Sequence, residues 1–204
     1  MIAILNILSN CNSVPLDAAV YADTTALFEM SMARDARNSQ EPYTQFALRL
    51  AGTRVPLVVT NIGLQELRRV IIVNLYKKVA ASRNLAKHKW EIVHKQDKAL
   101  LTQAKATADR WVAYLRADPS IAEIQVDQDA AFIARQEAVM FDPLIGLDQM
   151  DAAHYVAAER IGCSALLTND EGFGLAAENM NVYTANLRLL VVSGSRYSKN
   201  VLLS

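Results

Sequence analysis

Short apolar runs, each too brief for a buried helix, recur along the chain with longer helical stretches between them. Val20 to Ala22 reads as a buried strand closed by Asp23. Val55 to Thr60 is rich in β-branched residues, with Pro56 near its start, where a missing N–H is tolerated. Cys163 to Thr168 and Asn181 to Thr184 are further runs, and Ile121 to Val126 alternates apolar and polar residues. Strands that alternate with helices pair in parallel, because each crossover helix returns the chain to the same edge and covers a face. The expected fold is α/β, a three-layer α/β/α sandwich with a mainly parallel central sheet. Met1 to Ser9 fits either a short helix or an extra strand.

The helices are bounded by residues that can satisfy free backbone groups. Thr24 or Thr25 is suited to cap the helix that begins over Leu27 to Met32. Tyr43 to Leu50 reads as a helix ended by Gly52. Asp127 or Asp129 caps a helix through Val139, and Asp148 to Ile161 is helical with Gly162 in the C-terminal capping position. The longest helical stretch has no glycine between Gly63 and Gly146. Leu64, Leu67, Ile71, Leu75 and Val79 form one helical stripe; Trp90, Val93, Leu100, Leu101, Ala104, Ala108, Trp111 and Leu115 form a second. A turn around Ser82 to His88 would fold the two into an antiparallel hairpin, with both tryptophans in its core. One domain over 1–204, carrying an elongated helical hairpin at about 68–117, accounts for the whole pattern.

Net charge is zero, but its distribution is uneven. Arg68 to Arg116 holds twelve Lys/Arg and three Asp/Glu, a local charge of +9. Ala117 to Glu178 holds twelve Asp/Glu and two Lys/Arg, a local charge of −10. A basic flank beside an acidic site suits a nuclease: one attracts phosphates, the other holds cations. A solvated helix face accounts for the basic run equally well. Arg68, Arg69, Lys77 and Lys78 are the candidate RNA contacts. No apolar run approaches membrane-spanning length, and Met1 to Leu8 lacks the basic residues that open a signal peptide. Cys11 and Cys163 form no metal pattern and read as reduced thiols. A cytoplasmic protein with no membrane association is expected.

Four acids stand at the ends of apolar segments or in early helix turns: Asp23, Glu66, Asp151 and Asp170. In an open α/β sheet these positions converge on the crevice beyond the carboxyl ends of the strands. Carboxylates gathered there repel one another and lose hydration unless a cation joins them. Mg²⁺ and Mn²⁺ favour oxygen ligands of this kind. Each acid also has a purely structural explanation. Asp23 could accept turn N–H groups, Glu66 could be a solvated acid near a helix start, and Asp170 could close an Asx turn. Asp148 and Asp151 are three apart, so Asp148 fits an N-cap with Asp151 at the third helical position. We assign Asp151 to the metal and Asp148 mainly to the cap. His154, one turn beyond Asp151, could contact RNA or carry a proton, but is expected instead to be a packed helix residue.

Taken in order, the segments "AVYADTTAL", "VVTNIGLQEL" and "MDAAHYVAAERIGCSALLTND", followed by Gly172-Phe173, resemble a PIN domain over about residues 19–187. The resemblance implies a Rossmann-like three-layer fold and a Mg²⁺- or Mn²⁺-dependent ribonuclease. It makes Asp23, Glu66, Asp151 and Asp170 the metal-binding catalytic acids. Thr168 and Asn169 match the small polar residues before the last acid, Thr60 and Asn61 match the turn ahead of the second, and Thr24 follows the first. Many members of the family are toxins of bacterial toxin–antitoxin pairs, so an antitoxin is one implied protein partner and a homodimer another. Two departures stand out. Thr25 occupies a position where the family often has Asn, and Glu66 and Asp151 are 85 positions apart, longer than in compact members. The expected chemistry is hydroxide attack on an RNA phosphodiester, leaving a 5′-phosphate and a 3′-hydroxyl. The alternatives are a non-catalytic RNA- or protein-binding module and a DNA nuclease built on the same site.

Overall fold

The computed structural model describes residues 4–189. Six parallel strands form one sheet: β1 (Ile4–Asn6), β2 (Val20–Ala22), β3 (Leu57–Thr60), β4 (Ile121–Ile124), β5 (Ala165–Leu167) and β6 (Asn181–Thr184). Their order is β1-β6-β5-β2-β3-β4. The early part of Met1 to Ser9 thus supplies an edge strand, Ile4 pairing with Val182, followed by the short helix α1 (Ile7–Asn10); Met1 to Ala3 lie outside the described residues.

Seven further helices cover the sheet: α2 (Thr24–Asp35), α3 (Pro42–Gly52), α4 (Asn61–Ser82), α5 (Trp90–Gln96), α6 (Lys98–Arg116), α7 (Ala130–Met140) and α8 (Gln149–Arg160). The architecture is the expected three-layer sandwich. Side-chain alternation along β2 divides the layers. Val20 and Ala22 enter a core shared with α2, α3, α4 and α6, with Phe46, Leu67 and Ile71 at its centre. Tyr21 points to the other face, into a core with Phe132, Tyr155 and Val156 from α7 and α8. Both faces of β2 are buried, which explains why it reads as a continuous apolar run.

The caps differ in part from the sequence reading. Asp23, not Thr24 or Thr25, caps α2, accepting from Ala26 N. Asp129 and Asp148 cap α7 and α8 as expected. Gly52 is the last residue of α3, and the left-handed turn that follows falls on Arg54 (φ 61°). Gly162, after α8, does take the left-handed conformation (φ 76°).

The hairpin is antiparallel, with Arg68 bound to Asp109 and Arg83 to Asp97. Its return arm is two helices rather than one, because Asp97 accepts from Leu100 N and starts α6 afresh. Trp90 and Val93 therefore leave the second stripe and pack with Tyr76 and Ala80 at the far end of α4. Trp111 remains in the core of α6. No helix among the described residues is long and apolar enough to cross a membrane.

Candidate metal centre

Asp23 follows β2 and Asp170 follows β5, and these strands are neighbours in the sheet. The chain runs outward from β2 to β3 and β4, then returns to β5 and β6 on the opposite side. The gap between β2 and β5 is thus the topological switch point, where the departing connections leave a crevice. A cleft of about 340 Å³ opens there. Asp23, Glu66, Asp151, Asp170, Thr24 and His154 line it, together with Asp148 and Glu29. Four segments distant in sequence bring the four predicted acids to one place.

Asp23 is almost fully buried and fully engaged. Its Oδ1 accepts from Ala26 N (2.9 Å) and its Oδ2 from Thr168 Oγ1 (2.8 Å), while Thr25 Oγ1 lies 2.9 Å from both oxygens. Thr168 Oγ1 also accepts from Asp170 N at 2.8 Å, tying the first and last acids through one hydroxyl. Thr25 accepts from Asn169 N (2.9 Å), so it knits the ends of β2 and β5. Burial pushes the Asp23 carboxyl up to about 6, against the opposing pull of His154 and these hydrogen bonds.

Glu66 reaches the cleft from the second turn of α4. Its Oε2 accepts from Thr24 Oγ1 (2.6 Å) and faces His154 Nε2 (2.7 Å). Burial raises this carboxyl, but the hydrogen bonds from His154 and Thr24, with the charges of His154 and Arg69, outweigh it and hold Glu66 below its usual range.

Asp151 behaves differently. It is the third residue of α8, and its own N–H goes to the Asp148 cap (3.0 Å). Its carboxylate accepts no hydrogen bond among the described residues. Burial pushes it up to about 8, reinforced by the charges of Asp170, Asp148, Asp23 and Glu66. Asp170 Oδ1 accepts from Gly172 N (2.8 Å). A Cβ on residue 172 would stand 2.6 Å from Asp151 Oδ2 and 3.2 Å from Asp170 Oδ1, so glycine leaves room for both carboxylates.

Of the predicted supporting residues, Thr24, Asp148 and Asn169 line the cleft, whereas Asn61 serves the frame. Asn61 pairs with Val126, donating to its carbonyl (3.2 Å) and accepting its N–H (2.8 Å), which fastens the chain beyond β4. Asn169 is held by the Tyr43 hydroxyl (3.0 Å) and donates weakly to Glu29 (3.5 Å). Thr24 and Thr168 each grip an acid, as above.

The four basic candidates do not share a face. At about 100° per residue along α4, Lys77 falls about 20° from Glu66 and Arg69 about 60°. Lys78 is about 120° away, and Arg68 about 160°, where it meets Asp109 on α6 at 2.7 Å. Val70, on the Glu66–Lys77 stripe, lines the cleft.

Three contributors escaped the sequence reading. His154 is 1% exposed and packed as expected, yet both ring nitrogens are hydrogen-bonded within the site. Tyr21 touches His154 from β2, and its place on the α8 side follows from strand alternation. Glu29, two turns into α2, adds an acid at the rim. Burial and the nearby Glu41 raise it.

The donor set is oxygen-rich and acidic, with no lysine or arginine lining the cleft to neutralise it. That chemistry fits a hard divalent cation. As placed, no group of three or more His, Cys, Asp and Glu side chains among the described residues forms a set that could hold a metal ion. No family model matches the chain, and no curated protein matches it.

Proposed function

We propose that this chain is a metal-dependent ribonuclease of the PIN type, hydrolysing RNA phosphodiesters in the cytoplasm. The carrying observation is the convergence of Asp23, Glu66, Asp151 and Asp170 on one cleft at the switch point of a parallel sheet. Asp151, pushed up to about 8, marks a place where a cation would relieve repulsion. Asp23, Asp151 and Asp170 would hold Mg²⁺ or Mn²⁺. A cation held there activates water and neutralises charge on the leaving oxygen.

The chain's own residues supply position. Thr25 and Thr168 fix Asp23, and Thr24 fixes Glu66, which is placed to orient the attacking water. Asp148 anchors the start of α8, and so the backbone of Asp151. Arg69 and Lys77 follow Glu66 in one direction along α4 and would meet phosphates on that side of the scissile bond. The rise along α4 puts Lys77 about 16 Å from Glu66, a reach of several nucleotides. Arg68 and Lys78 would contribute only to the general field. A toxin role, with an antitoxin covering the cleft, follows from the family likeness alone.

The test is cleavage of labelled tRNA, structured RNA and single-stranded DNA with Mg²⁺, Mn²⁺ or EDTA, beside Asp23→Asn. RNA cutting that needs the ion and is lost in the variant supports the ribonuclease. Cutting of DNA alone would favour the DNA nuclease. Full activity in EDTA, or in folded Asp23→Asn, would sink the assignment.

A further inference from the structure

The imidazole of His154 is held at both ends. Nδ1 lies 2.7 Å from the Tyr21 hydroxyl, and Nε2 lies 2.7 Å from Glu66 Oε2 and 3.1 Å from Thr24 Oγ1. Tyr21 Oη is in turn 3.1 Å from Thr60 Oγ1, which accepts from Gly63 N at 3.4 Å. The direction of the bond to Glu66 follows from the chemistry of its ends. An ionised Glu66 can only accept, so Nε2 carries the proton. Tyr21 is buried completely, so it stays a phenol, and its hydroxyl braces the ring at Nδ1 while reaching Thr60 on its other side.

We infer that His154 is a positioning residue: Tyr21 and Glu66 hold its ring from both ends, and its Nε2–H pins Glu66 Oε2 so that Oε1 is left to ligate a cation or orient water. Among the described residues Oε1 takes no hydrogen bond, whereas Oε2 takes two. Any buried histidine needs partners for its ring nitrogens, and here one of them is a carboxylate of the cleft itself. Here a carboxylate and a phenol fix its ring plane, and the ring lies against the turn that begins α4, with Cε1 3.5 Å from a Cβ built on Gly63. The helix that carries Asp151 thereby also sets the geometry of Glu66, coupling two acids from opposite layers. The role in ligation rests on the proposed function, while the bond from Nε2 to Glu66 does not.

Two measurements on the full chain separate these. Long-range ¹H–¹⁵N spectra of the histidine-labelled, metal-free protein should show a proton on His154 Nε2. Tyr21→Phe should loosen the ring and speed exchange of that proton. A bare Nε2 overturns the inference whatever the ion does. Mn²⁺ titration by calorimetry is the second. His154→Leu should weaken binding about 10-fold, the lower end for loss of a residue that orients a ligand. His154→Gln, which keeps a donor toward Glu66, should recover most of it. Equal Mn²⁺ affinity in wild type and folded His154→Leu overturns the positioning role. No Mn²⁺ binding by wild type itself defeats the metal reading, and the Nε2 proton facing Glu66 then decides the inference alone. A melting curve on each variant identifies any that fails to fold, and Tyr21→Phe carries the test if His154→Leu does.

Discussion

Asp23 and Asp151 face one cleft but are held in opposite ways. Asp23 accepts from Thr25, Ala26 and Thr168, caps a helix and is almost inaccessible to water. Asp151 is half-buried, accepts nothing among the described residues, and feels four other carboxylates. Glu66 belongs with the first kind, gripped by Thr24 and facing His154. One wall of the cleft is thus preorganised by hydrogen bonds, and the other is left to be organised by whatever binds. Preorganised ligands lower the reorganisation cost, while the unpaired carboxylate supplies the electrostatic drive.

The largest expected effect is on the organised wall. Asp23→Asn should lower RNA cleavage by about 10³-fold or more, since it removes a ligand charge where charge neutralisation carries the rate. Stability should fall by no more than about 2 kcal/mol, because the Thr25 and Thr168 hydroxyls can turn to accept from the new amide. Thermal melts and an initial-rate assay check both. Loss of activity together with global unfolding would leave Asp23 as a structural cap only.

The unorganised wall predicts a pH dependence with a definite sign. The Asp151 carboxyl is raised from an ordinary 3.8 to about 8 in the folded protein. Between those values the folded state holds more protons than the unfolded one. Asp151 should therefore make metal-free stability fall as pH rises through that window, by at most ~1.4 kcal/mol per unit, with Asp23, raised to about 6, adding to the fall in its lower part, and the fall should level off above it. Mn²⁺ at 100 times its dissociation constant should restore about 2.7 kcal/mol at pH 8. That corresponds to a melting shift of roughly 5–11 °C for a chain of this size. A flat stability profile from pH 4 to 8 without metal would contradict the reading of Asp151.

Asp151→Asn sharpens the contrast with Asp23→Asn. Removing an unpaired charge from a crowd of like charges should raise metal-free stability at pH 8, by about 1–2 kcal/mol, and flatten the pH slope. The same change should erase the Mn²⁺ effect. The two carboxylates would then show opposite signs in stability and the same sign in activity, measured by melts at pH 5 and pH 8.

The sheet was legible in sequence because its central strands are buried and apolar on both faces and two of the acids sit where those runs stop. Tyr21 hid inside such a run: a tyrosine between Val20 and Ala22 reads as core, and only the pairing of β2 opposite α8 turns its hydroxyl toward His154. Asp97 hid the break in the hairpin, since the apolar stripe continues in sequence while the backbone restarts. Asn61 misled for the converse reason. Its neighbour Thr60 begins α4, but the Asn61 side chain spans to Val126, 65 residues away, a contact that no local pattern encodes. Local rules placed what each segment does to its own backbone; the hydrogen bonds between segments decided which polar side chain serves the cleft.

The basic flank tests the comparison from outside the cleft, with a smaller effect. On α4, Lys77 follows Glu66 and Val70 along one stripe, whereas Arg68 is turned toward Asp109. If RNA runs along that stripe, Lys77→Ala should reduce the slope of log affinity against log salt by about 0.7, one single-strand phosphate contact. Arg68→Ala should change the slope less, because its charge is already balanced by Asp109 in an exposed pair. Binding would be measured with Asp23→Asn protein to prevent cleavage, over a range of salt. Equal slopes for both variants would mean that the hairpin acts only through its summed charge. A larger change for Arg68→Ala would put the RNA on the α6 side of the hairpin and detach the basic face from the acidic cleft.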